Sequence, residues 1–195
     1  MKQKMKRALW MLVYLMAMES VNAQTIVTVD GLRYSLNGAY ATVNGKAEGN
    51  TSEKITIPST ITFDGIEYKV TAIGAHAFSS RSLTSIIIPN SVTAIGEYAF
   101  SCTSLTSIII PNSVTTIDDA AFTGCTKMTS IIIPNSVTTI SDFTFSDCSS
   151  LTSVVIPNSV TSIGMSALCD CSGLTSIEIP NSVTSIGNFA FSGCI

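Results

Sequence analysis

Charge is scarce in this chain. Asp, Glu, Lys and Arg supply 12% of its 195 residues, against about 25% in an ordinary soluble domain. The formal net charge is −3, and no basic cluster lies beyond the first seven residues, so the electrostatic footprint of nucleic-acid binding is missing. There is one histidine, His76, with no acid or nucleophile grouped around it in sequence. Metal-assisted hydrolysis and Ser/Cys–His catalysis both need such a grouping, so no catalytic residue, cofactor or metal site is expected. The single tryptophan, Trp10, lies in the leading segment, and no carboxylate pair borders an aromatic-lined groove of the kind a glycosidase needs. No apolar run reaches the roughly 18 to 20 residues of a membrane span. The mean hydropathy of +0.44 therefore reflects a packed interior, in one domain with at most a small appendage.

The first 23 residues read as an address. Lys2, Lys4, Lys6 and Arg7 precede an apolar stretch from Ala8 to Met18, and Val21 and Ala23 stand three and one residues before Gln24. A cationic start, a short apolar run and small residues at a cleavage point describe a secretory signal peptide. Cleavage after Ala23 is expected. No cysteine lies near that boundary, so no lipoprotein anchor is expected. Removing the four cations and Glu19 takes the net charge from −3 to −6. The mature chain is thus expected to be an acidic, exported protein: secreted, periplasmic or on the cell surface.

The rest is repetitive. Pro89, Pro111, Pro134, Pro157 and Pro180 recur at spacings of 22, 23, 23 and 23, each within Pro-Asn-Ser-Val-Thr. Self-similarity at this period signals a solenoid, in which no unit buries enough surface alone and stacking supplies the core. Each unit reads Leu-x-x-Ile-x-Ile-Pro-Asn-Ser-Val-Thr-x-Ile, then a stretch such as Ala121-Phe122 through Cys125. The first segment alternates like a strand, and Val-x-x-Ile is a second short extended run. Proline between them lacks an amide hydrogen and holds the preceding residue extended, so it ends one strand and turns the chain. The third side, with small residues around a phenylalanine, is expected to be a short helical turn. An incomplete leading copy starts near Lys54, with a hairpin inserted at Asp64-Gly65. The expected fold is mainly β, with about six coils of 22 or 23 residues across 54–195.

Leu-x-x-Ile-x-Ile-Pro-Asn-Ser-Val-Thr-x-Ile-Gly, Ala-Phe and Cys recur in order over residues 54–195, and in this the chain resembles the BspA-like leucine-rich repeats of bacterial surface and secreted proteins. The resemblance implies a right-handed solenoid with parallel strands on its faces. It implies, more loosely, a part in adhesion or host interaction.

Residues 24–53 depart from the repeat. Runs from Thr25 to Val29, Leu32 to Leu36 and Ala39 to Val43 are separated by Asp30-Gly31 and Asn37-Gly38, both hairpin signals. They are expected to form an N-terminal β-hairpin cap over the first coil, since about 30 residues bury too little for an independent module. At the other end the sequence stops at Cys194-Ile195, within a repeat. Either the coding sequence is truncated or the last coil docks on another chain, and the second alternative expects self-association through this edge.

Stacked coils turn equivalent positions into columns about 4.8 Å apart. Cys102, Cys125, Cys148, Cys171 and Cys194 are read as one column of buried thiols. A disulfide framework is the alternative, disfavoured because stacked Cβ atoms lie farther apart than a bridge allows. Cys169 falls outside the column and is expected to be exposed. The Asn90, Asn112, Asn135, Asn158 and Asn181 column, with the serines beside it, is expected to satisfy turn carbonyls. Glu97, Asp119 and Asp142 form a solvated acidic edge, or alternatively a calcium site. His76 shares a column with Tyr98, Ala120, Phe143, Ser166 and Phe189, and such tolerance marks a surface position.

The fourth and sixth residues of Leu-x-x-Ile-x-Ile face inward, so the fifth faces out. That outward column is Ile87, Ile109, Ile132, Val155 and Glu178. A contiguous apolar ridge suits docking of a protein from a host or bacterial surface. β-propensity alone is the alternative reason for isoleucine there. The leading functional reading is a non-catalytic recognition protein; the runner-up is an assembly module whose partner is itself.

Overall fold

A computed structural model describes residues 24–194. Its first part is an antiparallel meander of β1 (Thr25–Val29), β2 (Leu32–Asn37) and β3 (Tyr40–Lys46). The first turn places both Asp30 (φ 48°) and Gly31 (φ 74°) in the left-handed region, the geometry whose twist matches a two-residue hairpin. The second strand's Tyr34 is fully buried, and burial together with nearby Asp30 pushes its phenol up to about 12. Next come β4 (Lys54–Thr56), β5 (Thr60–Phe63) and β6 (Ile66–Ile73), with β5 and β6 joined through the Asp64-Gly65 turn. The meander meets the coils through parallel pairing of β3 with β6.

From there the chain winds in coils whose strands pair in parallel one coil apart. On one side β6 pairs with β8 (Ala94–Ile95), and β8 with β9 (Thr116–Ile117). Farther along that side β11 (Thr139–Ile140) pairs with β13 (Ser162–Ile163), and β13 with β14 (Ser185–Ile186). On the Leu-x-x-Ile-x-Ile side β4 pairs with β7 (Ser85–Ile87), and β10 (Ser130–Ile132) pairs with β12 (Ser153–Val155). One apolar core runs from Val27 to Ala190. Its spine is a ladder of phenylalanines, Phe78, Phe100, Phe122 and Phe145, with ring centroids 5.9, 5.3 and 5.6 Å apart. This is the solenoid expected from the 23-residue period.

The third side corrects one expectation: no helical turn is present there among the described residues. An α-helix spends every N–H within its own segment, whereas here the N–H groups alternate. Tyr98, Phe100 and Cys102 donate to Asp119, Ala121 and Thr123 of the next coil, while Ala99, Ser101 and Thr103 donate three residues back within their own. The alternation requires left-handed backbone at two positions in each coil from Tyr98 on, such as Tyr98 (φ 53°) and Cys102 (φ 56°), and no helix accommodates those. Hydrogen bonds that would have closed a helix instead hold one coil to the next.

Candidate functional site

The outward column is laid out by strand alternation. Ile131 and Ile133 are buried, and Ile132 between them is 67% exposed. Ile87, Ile109 and Val155 are 60%, 87% and 51% exposed, and Glu178 is exposed as well. Ile132 stands directly beside Val155 in the β10–β12 ladder. The sheet beneath the ridge is less continuous than the repeat implies, because Ser107–Ile109 forms no strand bridge among the described residues. Depressions of about 310 and 300 Å³ flank Ile109 on its two sides, and a third of about 510 Å³ lies between Ile132, Val155 and Glu178. The prolines at the strand ends and Asn112, Asn135 and Asn158 form the far wall of that third depression. One face thus combines an apolar ridge with concavities, and it holds no group of three or more metal-ligating side chains among the described residues. Its capacity is for shape and apolar contact.

At the corner after each proline the asparagines are exposed, and in the three middle coils the serine beside them ties coil to coil, while the Ser91 and Ser182 hydroxyls are buried without a partner. Ser113 and Ser159 donate to the carbonyls of Val92 and Val137, each at 2.7 Å, and Ser136 donates likewise to Val114. The acidic column also acts between coils. Asp119 Oδ1 accepts the N–H of Asp142 at 3.1 Å, and Asp142 Oδ1 accepts that of Met165 at 2.6 Å. Each of these carboxylates caps a backbone donor of the next coil. Burial, and secondarily the Asp119 charge, raises the Asp118 carboxyl above its usual range. On this turn face the column expected at the surface is exposed at His76, Phe143 and Phe189 but buried at Ala120 and Ser166, and its apolar character was not expected: Phe143, Phe189 and the neighbouring Met165 are 39%, 71% and 40% exposed, and His76 stacks on Tyr98 with centroids 4.9 Å apart. The available signal was the alternation of large and small residues in the His76 to Phe189 column.

The cysteines are all free thiols, but they do not form one column. Cys102 shares its left-handed backbone with Gly124, Asp147, Asp170 and Gly193, and its side chain is exposed. The inward position in that coil belongs to buried Thr103, whose hydroxyl lies 3.2 Å from Cys125 Sγ. The cause is a one-residue difference in the loop after the phenylalanine: Leu105 follows Phe100 by five residues, and Met128 follows Phe122 by six. Aligning the prolines hides that step. The true thiol ladder is Cys125, Cys148, Cys171 and Cys194, bonding the carbonyls of Phe100, Phe122, Phe145 and Leu168 at 3.1, 3.2, 3.1 and 3.3 Å. The hydrogen bond with Cys125, and after it burial in the apolar core, raises the Cys148 thiol, and burial pushes Cys171 up to about 12.

These positions set an order of reactivity, since the thiolate is the nucleophile. In the folded protein Cys102 is expected to be alkylated first. Cys169 follows, because desolvation and then the Asp170 carboxylate raise its thiol, so its rate climbs only as the pH rises through the raised value. Cys125, Cys148 and Cys171 react only on unfolding. Mass spectrometry after timed iodoacetamide pulses at two pH values checks the order, and early labelling of Cys148 would contradict it.

Residues 71–195 match, in six copies, the family described as BspA type leucine rich repeat region. Among solved structures, a leucine rich cell surface protein from Faecalibacterium prausnitzii A2-165 is similar over 89% of this chain and 53% of its own, at 34% identity and TM-score 0.68. A leucine-rich repeat protein from Eubacterium ventriosum is similar over 90% and 51%, at 25% identity and TM-score 0.68. The pneumococcal vaccine antigen PcpA shares the fold over 89% and 49%, at 22% identity and TM-score 0.71. The chain spans about half the length of each of these structures. No curated protein sequence matches it. Among the described residues no helix is long and apolar enough to cross a membrane.

Proposed function

Because the chain belongs to the BspA-type leucine-rich repeat family, we propose that it is an exported, non-catalytic recognition protein. It holds a protein of a host or bacterial surface against the face bearing Ile87, Ile109, Ile132, Val155 and Glu178. The observation that carries this reading is the line of exposed β-branched side chains, rising to 87% exposure at Ile109, with depressions on the same face. Hydrophobic side chains held in water lose nothing when they are buried by a partner, and burial yields roughly 25 cal/mol per Å² before the costs of association. A rigid repeat face suits this use because its shape is set by stacking. The cell-surface description of the Faecalibacterium protein and the cationic, then apolar, start of the chain support export. Residues 1–23 lie outside the described residues.

The test is binding to a panel of extracellular-matrix and epithelial proteins by the wild type and by Ile109→Glu/Ile132→Glu. Both positions are exposed, so the substitutions cost about 1 kcal/mol or less each in stability. Two charges placed in the centre of an apolar contact are expected to weaken binding more than about tenfold. Saturable binding that survives in the folded double variant overturns the assignment of this face.

A further inference from the structure

The turn face is chemically unlike the ridge, and its composition points to a different kind of contact. Between residues 82 and 194 the chain has Lys127 as its single base and seven acids. Apart from Glu178, those acids lie on or beside the turns: Glu97, Asp118, Asp119, Asp142, Asp147 and Asp170. Within the same turns, large aromatic residues occupy left-handed backbone, Tyr98 at φ 53° and Phe143 at φ 56°. Glycine takes up such backbone without strain, as at Gly124 and Gly193 in the neighbouring left-handed column. Phe143 combines that strain with a ring 39% exposed to water, beside Met165 at 40%. Ala120 and Ser166, small and buried, occupy the column on either side of Phe143. The rings are therefore spaced two coils apart along the axis; Glu97 and Asp142 precede Tyr98 and Phe143, and Asp147 follows, whereas Phe189, 71% exposed at φ 61°, continues the spacing after the neutral Asn188.

We propose that this face binds an extended cationic polypeptide segment, with Lys or Arg side chains seated on Phe143 and on the face of Tyr98 turned away from His76, over the small Ala120 between them, and surrounded by Glu97, Asp119, Asp142 and Asp147. A cation over an aromatic face gains from the ring quadrupole, and flanking carboxylates add attraction. The six acids on these turns, against Lys127, select a basic occupant and repel an acidic one. Spacing narrows the choice further. Rings of adjacent coils stack 4.9 Å apart at His76 and Tyr98, so Tyr98 and Phe143, two coils apart, are separated by roughly 10 Å, about one three-residue turn of a polyproline II chain, which keeps residues i and i+3 on the same side. The matching segment carries a basic residue at every third position. This surface is distinct from the ridge and stands or falls independently of it.

The probe is a fluorescein-labelled (Arg-Ser-Gly)4 peptide, followed by anisotropy against the purified protein at low and at near-physiological salt. Saturation is expected below about 100 µM protein at low salt, weakening as salt screens the carboxylates. Tyr98→Gly/Phe143→Gly removes both rings while relaxing the left-handed backbone, so the fold is retained, and affinity is expected to fall about tenfold. Asp119→Asn/Asp142→Asn keeps the oxygens that cap the next coil, and is expected to weaken binding about fivefold and to flatten its salt dependence. Ile109→Ser/Ile132→Ser is expected to bind like the wild type. The proposal is overturned if the peptide does not saturate, if the glycine variant binds undiminished, or if the ridge variant loses the peptide.

Discussion

Phe122→Ala is expected to destabilise the protein by about 3–5 kcal/mol, the usual cost of deleting a fully buried phenylalanine. Phe122 is completely buried, and its ring lies between Phe100 at 5.3 Å and Phe145 at 5.6 Å. Removing it loses the transfer free energy of the side chain, leaves a cavity bounded by two rings that backbone bonds hold apart, and breaks two aromatic stacks at once. A solenoid's coils contact only their neighbours, so a fault in the middle also uncouples the coils before it from those after. At about 2–4 °C per kcal/mol for a chain of this size, the melting temperature falls by about 10 °C. Phe122→Leu is the internal control, because Leu168 occupies the equivalent place and is equally buried. That change is expected to cost about 1.5 kcal/mol or less. Urea denaturation followed by circular dichroism decides: equal losses for the two variants would assign the contribution to the stacked ring and not to the buried volume, and would contradict the cavity argument.

Gly45→Ala is expected to cost about 3 kcal/mol, by a different mechanism. Gly45 has φ 113° and lies where the β2–β3 register shifts, opposite Arg33. A Cβ there would stand 2.0 Å from the carbonyl oxygen of Ala77 and 3.0 Å from its carbon. Backbone, unlike a long side chain, cannot swing aside, so the meander must lift off the first coil. Backbone strain and overpacking then add. Gly49→Ala supplies the comparison: it also has positive φ, at 79°, but nothing lies within 4 Å of its added Cβ, so it is expected to cost about 1–2 kcal/mol. Hydrogen exchange distinguishes the two, with amides of β3 and β6 losing protection in Gly45→Ala alone. Matching melting curves for the two variants would show that the approach of the meander to Ala77 is not tight.

Several features were legible because they are local. Asp30-Gly31 and Asp64-Gly65 mark tight turns since few residue pairs tolerate positive φ in succession. The inward and outward alternation of Leu-x-x-Ile-x-Ile follows from strand geometry, and the exposures along Ile87, Ile109, Ile132 and Val155 follow from it in turn. The cysteine column failed at Cys102 for an equally definite reason. Repeat alignment assumes that coil length is spread evenly, and the one-residue difference after Phe122 moves the inward position onto Thr103. The helical turn failed because propensity near Ala-Phe says nothing about where the N–H groups go. Their acceptors lie in the next coil, out of reach of any local pattern.

The amino-acid order by itself determined the period, the strand faces, the turn positions and the family, since each rests on spacing within a single coil. The tertiary structure alone decided which side chains join coil to coil. Ser113, Ser136 and Ser159, and not the asparagines beside them, bond corner carbonyls, aspartates cap backbone donors, and thiols reach the carbonyls of residues 25 or 26 positions earlier. It also decided that Gly45 meets Ala77 and that Phe143 stands partly in water on left-handed backbone. The physical reason is common to all of these. Each is a contact between segments one or more coils apart, and its geometry depends on how the coils are offset when they stack, which the composition of one coil does not specify.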